Sequence, residues 1–242
     1  MKALLSFFTA LPLRGASLEE AARQAYLLPL VGIFTGLPGA ALILLVYSSV
    51  PPGVAATLAL GAVLLAAGLH HADGVLDVGD ALMVRGSPAR RRQVLADVRV
   101  GIGGIGALFV VYAPALAALA ALAAVSPWRA ALALLAGEVS ARSAMLLMLA
   151  FGEPADRTSS SVPFVRALEG WQRSAGLGLA LLSPLPFLLP MGAALAVLSA
   201  PLVALCGLRL SRAAFGGIGG DAVGAAGETC RAVLLVFASA ML

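Results

Sequence analysis

The residues best suited to chemistry fall in one stretch, His71-Ala72-Asp73-Gly74-Val75-Leu76-Asp77-Val78-Gly79-Asp80. Asp73, Asp77 and Asp80 stand at i, i+4 and i+7, which lines three carboxylates along one helix face. Three like charges on one face repel. A divalent cation would remove the conflict, and hard carboxylate oxygens suit magnesium. Magnesium held there would clamp a phosphate or pyrophosphate, neutralising and orienting it together. The competing reading is a solvated helix end whose carboxylates pair with Arg85 and Arg90. His70 and His71 precede the set, either as an interfacial polar pair or with His71 as a general base or phosphate contact. No third imidazole or soft ligand is in view to make a zinc site.

Four other groups are candidates. Asp97 and Arg99 precede Gly101, Gly103 and Gly104 at the mouth of an apolar run. That suits an anion site with Arg99 as a phosphate ligand. Arg90-Arg91-Arg92 reads as an anchor on anionic lipid heads. Glu138 and Arg142, four apart, are either an intrahelical ion pair or the polar lining of a ligand cavity that meets substrate through Arg142. Gly216-Gly217-Ile218-Gly219-Gly220-Asp221 lacks the Gly-Lys-Ser/Thr of a Walker loop and alone reads as a flexible turn. Yet Asp221, Gly224 and Glu228 share one helix face. A composite metal site from Asp73, Asp77, Asp80, Asp221 and Glu228 follows, with Gly220 beside the phosphate.

The elements that must position these residues are membrane helices. The chain is 61% hydrophobic and 12% charged, with mean hydropathy +1.00. Its apolar runs are long and do not alternate, so the fold class is all-α, a polytopic helical bundle and not a β-barrel. The expected spans are 26–48, 54–69, 102–125, 130–151, 174–189, 191–208 and 222–242, about seven transmembrane helices in one membrane domain over 1–242. Residues 1–24, with Lys2, Arg14, Glu19, Glu20 and Arg23 around an apolar patch, read as an interfacial lead-in. The patch is short and has no small-residue cleavage site, which argues against a signal peptide. Gly32 and Gly36 allow close helix packing. Cys206 and Cys230 read as packing residues.

Charge sets the orientation. With the N-terminus inside, the connections 70–100, 152–173 and 209–221 are inside too, and of the loop cations only Arg129 is outside. Every acidic cluster then faces the cytoplasm. The net charge of +4 belongs to this asymmetry and is no sign of a nucleic-acid partner.

His71-x-Asp73-Gly74-x-x-Asp77-x-x-Asp80 resembles the His-Leu-Asp-Gly-Leu-Ala-Asp-Thr-x-Asp-Gly signature of the cobalamin synthase family. Phe8-Thr9-Ala10-Leu11-Pro12, Pro29-Leu30-Val31-Gly32, Asp97-Val98-Arg99-Val100-Gly101 and the run from Gly216 to Ala225, with Glu228, resemble that family's further motifs in the same order. Departures fall at Ala10, Ala81, Val98 and Gly219, and Arg231 stands where an acidic residue is often found. The resemblance implies an adenosylcobinamide-GDP ribazoletransferase of the cytoplasmic membrane. It would join adenosylcobinamide-GDP to α-ribazole, or its 5′-phosphate, and release GMP, with Mg2+ as cofactor. Its partners are those substrates and the lipid bilayer, with a homo-oligomer left open. Asp73, Asp77 and Asp80 would hold magnesium, Arg99 would balance phosphoryl charge, and His71 or a carboxylate would take the hydroxyl proton. A CDP-alcohol phosphotransferase also spaces aspartates at i, i+4, but its longer pattern is not met. A cation-coupled transporter places charges near mid-membrane, often with repeats; here they cluster at span ends.

Overall fold

The computed structural model describes residues 1–13 and 15–241, so Arg14 of the lead-in and Leu242 of the last span lie outside the described residues. Two short helices come first, α1 (Lys2–Phe8) and α2 (Leu18–Arg23). Long apolar helices follow: α3 (Leu28–Val46), α4 (Pro52–Ala66), α7 (Ile102–Val125) and α8 (Pro127–Phe151). Between α4 and α7 lie α5 (His70–Met83) and α6 (Pro88–Leu95). The chain ends with α9 (Val162–Ala167), α10 (Gly170–Leu182), α11 (Leu185–Leu188), α12 (Ser199–Phe215) and α13 (Gly220–Ser239). Among the described residues the only β pairing is one isolated bridge, Pro154 to Ile218. The all-α polytopic bundle is borne out.

Six stretches are long and apolar enough to cross a membrane, and α4 with α5 makes a seventh candidate bent by 94°. The bend is built from two successive left-handed residues, Gly68 at φ +75° and Leu69 at φ +62°. We read α4 as the crossing part; α5 turns off it and lies outside the spanning segments. Two expected boundaries shift. The spans near 174–189 and 191–208 become Gly170–Met191 and Ala194–Phe215. Arg209 and Arg212 do not end α12; it runs to Phe215 and stops where Gly216 takes φ +81°.

The long helix α8 forms the centre. Nearly every residue from Ala130 to Ala150 is buried, which a helix apolar on all sides requires. It packs chiefly on α3 and α13. At Gly32 the α3 backbone comes so near that a Cβ would stand 2.5 Å from the Glu138 carbonyl oxygen. Small residues at helix contacts are what close packing without a hydrophobic drive needs. The bundle gathers α1, α5, α6, the 152–161 loop and the start of α13 at one end. Ala10 N donates to Ala66 O at 2.8 Å, Arg92 Nη1 to Phe215 O at 2.6 Å, and Ala155 N to Ile218 O at 2.9 Å.

Candidate active site

Helices α5 and α13 cross at that end, and glycine makes the crossing possible. A Cβ on Gly74 would stand 2.7 Å from the Asp221 carbonyl oxygen, and one on Gly224 would stand 3.0 Å from His71 Nδ1. The crossing brings the first turn of α13 against the acidic face of α5. Asp73 is exposed, while Asp77 and Asp221 are half-buried. No hydrogen bond or ion pair to protein reaches these three carboxylates in the described residues. Burial first, then the charges of Asp73, Asp221 and Asp80, push the Asp77 carboxyl up to about 6. The expected pairing of this face with Arg85 and Arg90 does not form: Arg90 instead bonds Gln93 Oε1 at 3.1 Å.

Asp80 differs from that trio in its bonding. Its carboxylate accepts from Gly101 N at 2.7 Å and Gly104 N at 2.8 Å. Gly101 is the N-cap of α7 and has no side chain to satisfy the helix's free amides. Asp80 supplies the cap from another helix, which fixes α5 to α7.

Asp97 and Arg99 pair with each other at the surface. Arg99 Nη2 meets Asp97 Oδ2 at 2.7 Å, with the Arg99 side chain 87% exposed. The Arg99 guanidinium holds the Asp97 carboxyl down at about 2. The pair lies on the strap between α6 and α7, beside the Asp80 cap and not against Asp221.

Glu228 is two turns deeper in α13 than Asp221, about 10 Å along the axis. It belongs to a different cluster. Glu138, Arg142, Glu228 and Arg231 are all buried. Arg231 bridges Glu228 and Glu138, meeting Glu138 Oε1 at 2.7 Å. Tyr112 Oη donates to Glu228 Oε2 at 2.7 Å, and Thr35 Oγ1 donates to Glu138. Arg142 Nη2 lies 3.5 Å from Glu138 Oε2, so the ion-pair reading of Glu138 and Arg142 is the one observed. The structure therefore joins Asp221 to the α5 aspartates and leaves Glu228 and Arg142 in the bundle interior.

Two cavities meet at Asp221. One of about 440 Å3 lies under α1, walled by Phe7, Phe8, His71 and Phe164. The other, about 250 Å3, is the more polar of the two and bounded by Arg92, Asp156, Thr158 and Ser159. Ser160, Gly220 and Asp221 line both. His71 is buried, and its Nε2 has no partner. Arg92, the phenylalanines of α1 and the serines of the 158–161 loop are site residues that the spacing of charges along the sequence did not reveal. Arg92 comes to the site because Ser87 and Pro88 start α6 and aim it at the end of α12.

Among the described residues no three acidic, histidine or cysteine side chains are close enough as placed to enclose a metal ion. The donor chemistry nevertheless fits a hard cation. Asp73, Asp77 and Asp221 offer carboxylate oxygens that repel one another and form no ion pair among the described residues.

The chain is similar to known sequences along its whole length. A profile described as cobalamin-5-phosphate synthase matches residues 1–239. The adenosylcobinamide-GDP ribazoletransferase of Azorhizobium caulinodans is 35% identical over 246 residues, 97% of this chain and 92% of the relative. The protein of that name from Methanocella arvoryzae is 31% identical over 258 residues, 100% of this chain and 96% of the relative. One from Saccharolobus islandicus is 46% identical over 108 residues, a match that spans 44% of this chain and only 42% of the relative. No solved structure matches the chain.

Proposed function

The chain belongs to the cobalamin-5-phosphate synthase family, and on that premise we propose that it joins adenosylcobinamide-GDP to α-ribazole, or its 5′-phosphate, and releases GMP. A ribazole hydroxyl oxygen bonds to the phosphorus that carries the cobinamide. The bond from that phosphorus to the GMP oxygen breaks, and the hydroxyl proton leaves to a base. The observation that carries the reading is the uncompensated trio Asp73, Asp77 and Asp221 at the crossing of α5 and α13. These side chains would hold Mg2+. Bound there, the cation would neutralise diphosphate oxygens and stabilise the GMP leaving group.

The protein's own residues supply the rest. Arg92, at the polar cavity, is a guanidinium within the same pocket as Asp221 and suits a phosphate. Asp80 keeps α5 in place by capping α7. Asp221 or another of the trio takes the hydroxyl proton when not bound to metal. The basic loops gathered at the site's end favour the cytoplasmic face of the inner membrane. The relatives' names favour neither a CDP-alcohol phosphotransferase nor a transporter.

The test is GMP release from adenosylcobinamide-GDP by the purified protein, with each ribazole form, with Mg2+ and with chelator. The expected result is release that stops on chelation. No GMP with either ribazole form would refute the activity; release unaffected by chelation would refute the magnesium.

A further inference from the structure

We propose that the apolar cleft between α7 and α12 is a binding site for one acyl chain of a phospholipid, seated behind the helix that carries Asp73 and Asp77.

Helices α7 and α12 both pack against α13 and leave a gap between them. The gap holds a cavity of about 570 Å3, larger than either cavity at Asp221. Its floor is α13 from Ala222 to Val233. Val110 and Val111 of α7 form one wall, and Val203 and Cys206 of α12 form the other. Val75, Val78 and Leu82 of α5 close the end nearest the candidate site. These three project from the side of α5 opposite Asp73 and Asp77.

The wall chemistry limits the ligand to hydrocarbon. No charged side chain lines the cleft. The Thr229 hydroxyl is used inside α13, donating to Ala225 O at 2.8 Å, and Ser211 is buried. A polar occupant would leave its hydrogen bonds in water and find no replacement here. The cleft also opens sideways. Val110 and Leu202, at its lips, are 70% and 48% exposed on two of the candidate spans. The cleft is therefore continuous with the lipid-facing surface, and acyl chains are the hydrocarbon within reach.

The dimensions choose a chain over a helix of a second copy. From Ala222 to Val233 is about 16 Å along α13, close to the ~15 Å of one leaflet's hydrocarbon. Over that length the volume gives a mean section of about 35 Å2, less than half the ~80 Å2 of a helix 10 Å across. The interfacial end carries a cation for the lipid phosphate. Arg91 Nε donates to Val84 O at 3.1 Å, two residues beyond Leu82, so a guanidinium stands at headgroup level. An empty cleft would leave the rear of α5 without packing partners; a chain supplies them. This site does not depend on which substrates the candidate active site joins.

The test uses full-length protein in nanodiscs of phosphatidylcholine with a diazirine in one acyl chain. After illumination, labelled residues are mapped by peptide mass spectrometry. Surrounding lipid should label Phe109 and Leu205, which are exposed but do not line the cleft. A chain in the cleft should also label its floor, at Ala226 and Thr229. Val110→Trp combined with Cys206→Trp fills the cleft from both walls. Floor labelling should then fall at least tenfold, with labelling at Phe109 and Leu205 within twofold of wild type. Phe109→Trp combined with Leu205→Trp, on the outer faces of the same helices, should leave floor labelling within twofold. A wild-type floor that stays unlabelled, or that crosslinks to a second copy of the chain, would overturn the site. So would equal loss of floor labelling in the two double variants.

Discussion

Helix α13 carries two acidic side chains on one face, in opposite settings. Asp221, in the first turn, stands with Asp73 and Asp77 and forms no ion pair among the described residues. Glu228, two turns on, is buried with Arg231, Glu138, Arg142 and Tyr112. There two carboxylates meet two guanidiniums and the formal charge cancels. The second cluster is balanced in charge, and it locks α13 to α8. The first is incomplete, and its repulsion is the kind that a bound cation relieves. Identical side-chain chemistry thus serves architecture where its charge is balanced, and where it is not it carries the magnesium proposal.

The sharpest way to break this comparison is to neutralise one member of each cluster. Asp77→Asn removes a ligand and a repulsive charge together. Ribazole transfer should fall by about a thousandfold, near 4 kcal/mol of lost transition-state stabilisation. Thermal stability without metal should be equal or higher, because no partner loses a bond. A variant that keeps full activity, or one that unfolds, would remove Asp77 from the candidate site.

Arg231→Met should do the reverse. It strips Glu228 of its guanidinium and leaves Glu138 with Arg142 alone, so two carboxylates are buried with one cation. Breaking a buried ion pair from one side costs roughly 3–5 kcal/mol. The measurement is the thermal midpoint in detergent with Mg2+ absent. A stable variant would mean that the network is better replaced by hydrocarbon than retained. Replacing Glu138, Arg142, Glu228 and Arg231 together by apolar residues should recover part of the loss.

A smaller effect tests the boundary between the two clusters. Asp80→Ala deletes the cap of α7 without touching the uncompensated trio. The expected cost is about 1–2 kcal/mol of stability, with activity reduced through misplacement of α5 and not abolished. Loss as complete as in Asp77→Asn would return Asp80 to the metal-holding set.

Much of this was legible in the sequence. The i, i+4, i+7 aspartates, the second acidic segment at Asp221 and the bundle of six or seven spans needed only periodicity, hydropathy and charge placement. What was not legible came from long-range partners. Asp80 is diverted by amides of Gly101 and Gly104, on the far side of α6, and no local spacing encodes that. Glu228 shares a face with Asp221, but α8 brings Glu138 opposite Arg231 and so decides its role. Arg231 read as a departure from the family pattern; the structure gives it the task of neutralising two carboxylates. The apolar patch of α1 read as a lead-in at the membrane surface, yet the fold sets Phe7 and Phe8 against His71 and Phe164.

The mildest prediction concerns pH, and its sign follows from Asp77. Its carboxyl is pushed up to about 6 by burial and by its acidic neighbours. A raised carboxyl makes the metal-free protein lose stability as pH rises from about 4 toward 6, because the native state must give up a proton that it holds more tightly than the unfolded chain. Magnesium needs the ionised form. At pH 5.5 roughly a quarter of a carboxyl titrating at about 6 is ionised, and at pH 7.5 nearly all of it is. Magnesium should therefore bind about fourfold more weakly at pH 5.5, and the thermal shift it produces should be correspondingly smaller there. In Asp77→Asn the difference between the two pH values should shrink, because Asp77 no longer titrates in this window. A magnesium shift in wild type that is equal at both pH values would place the cation away from Asp77, and the contrast between the two ends of α13 would then need another ligand to explain it.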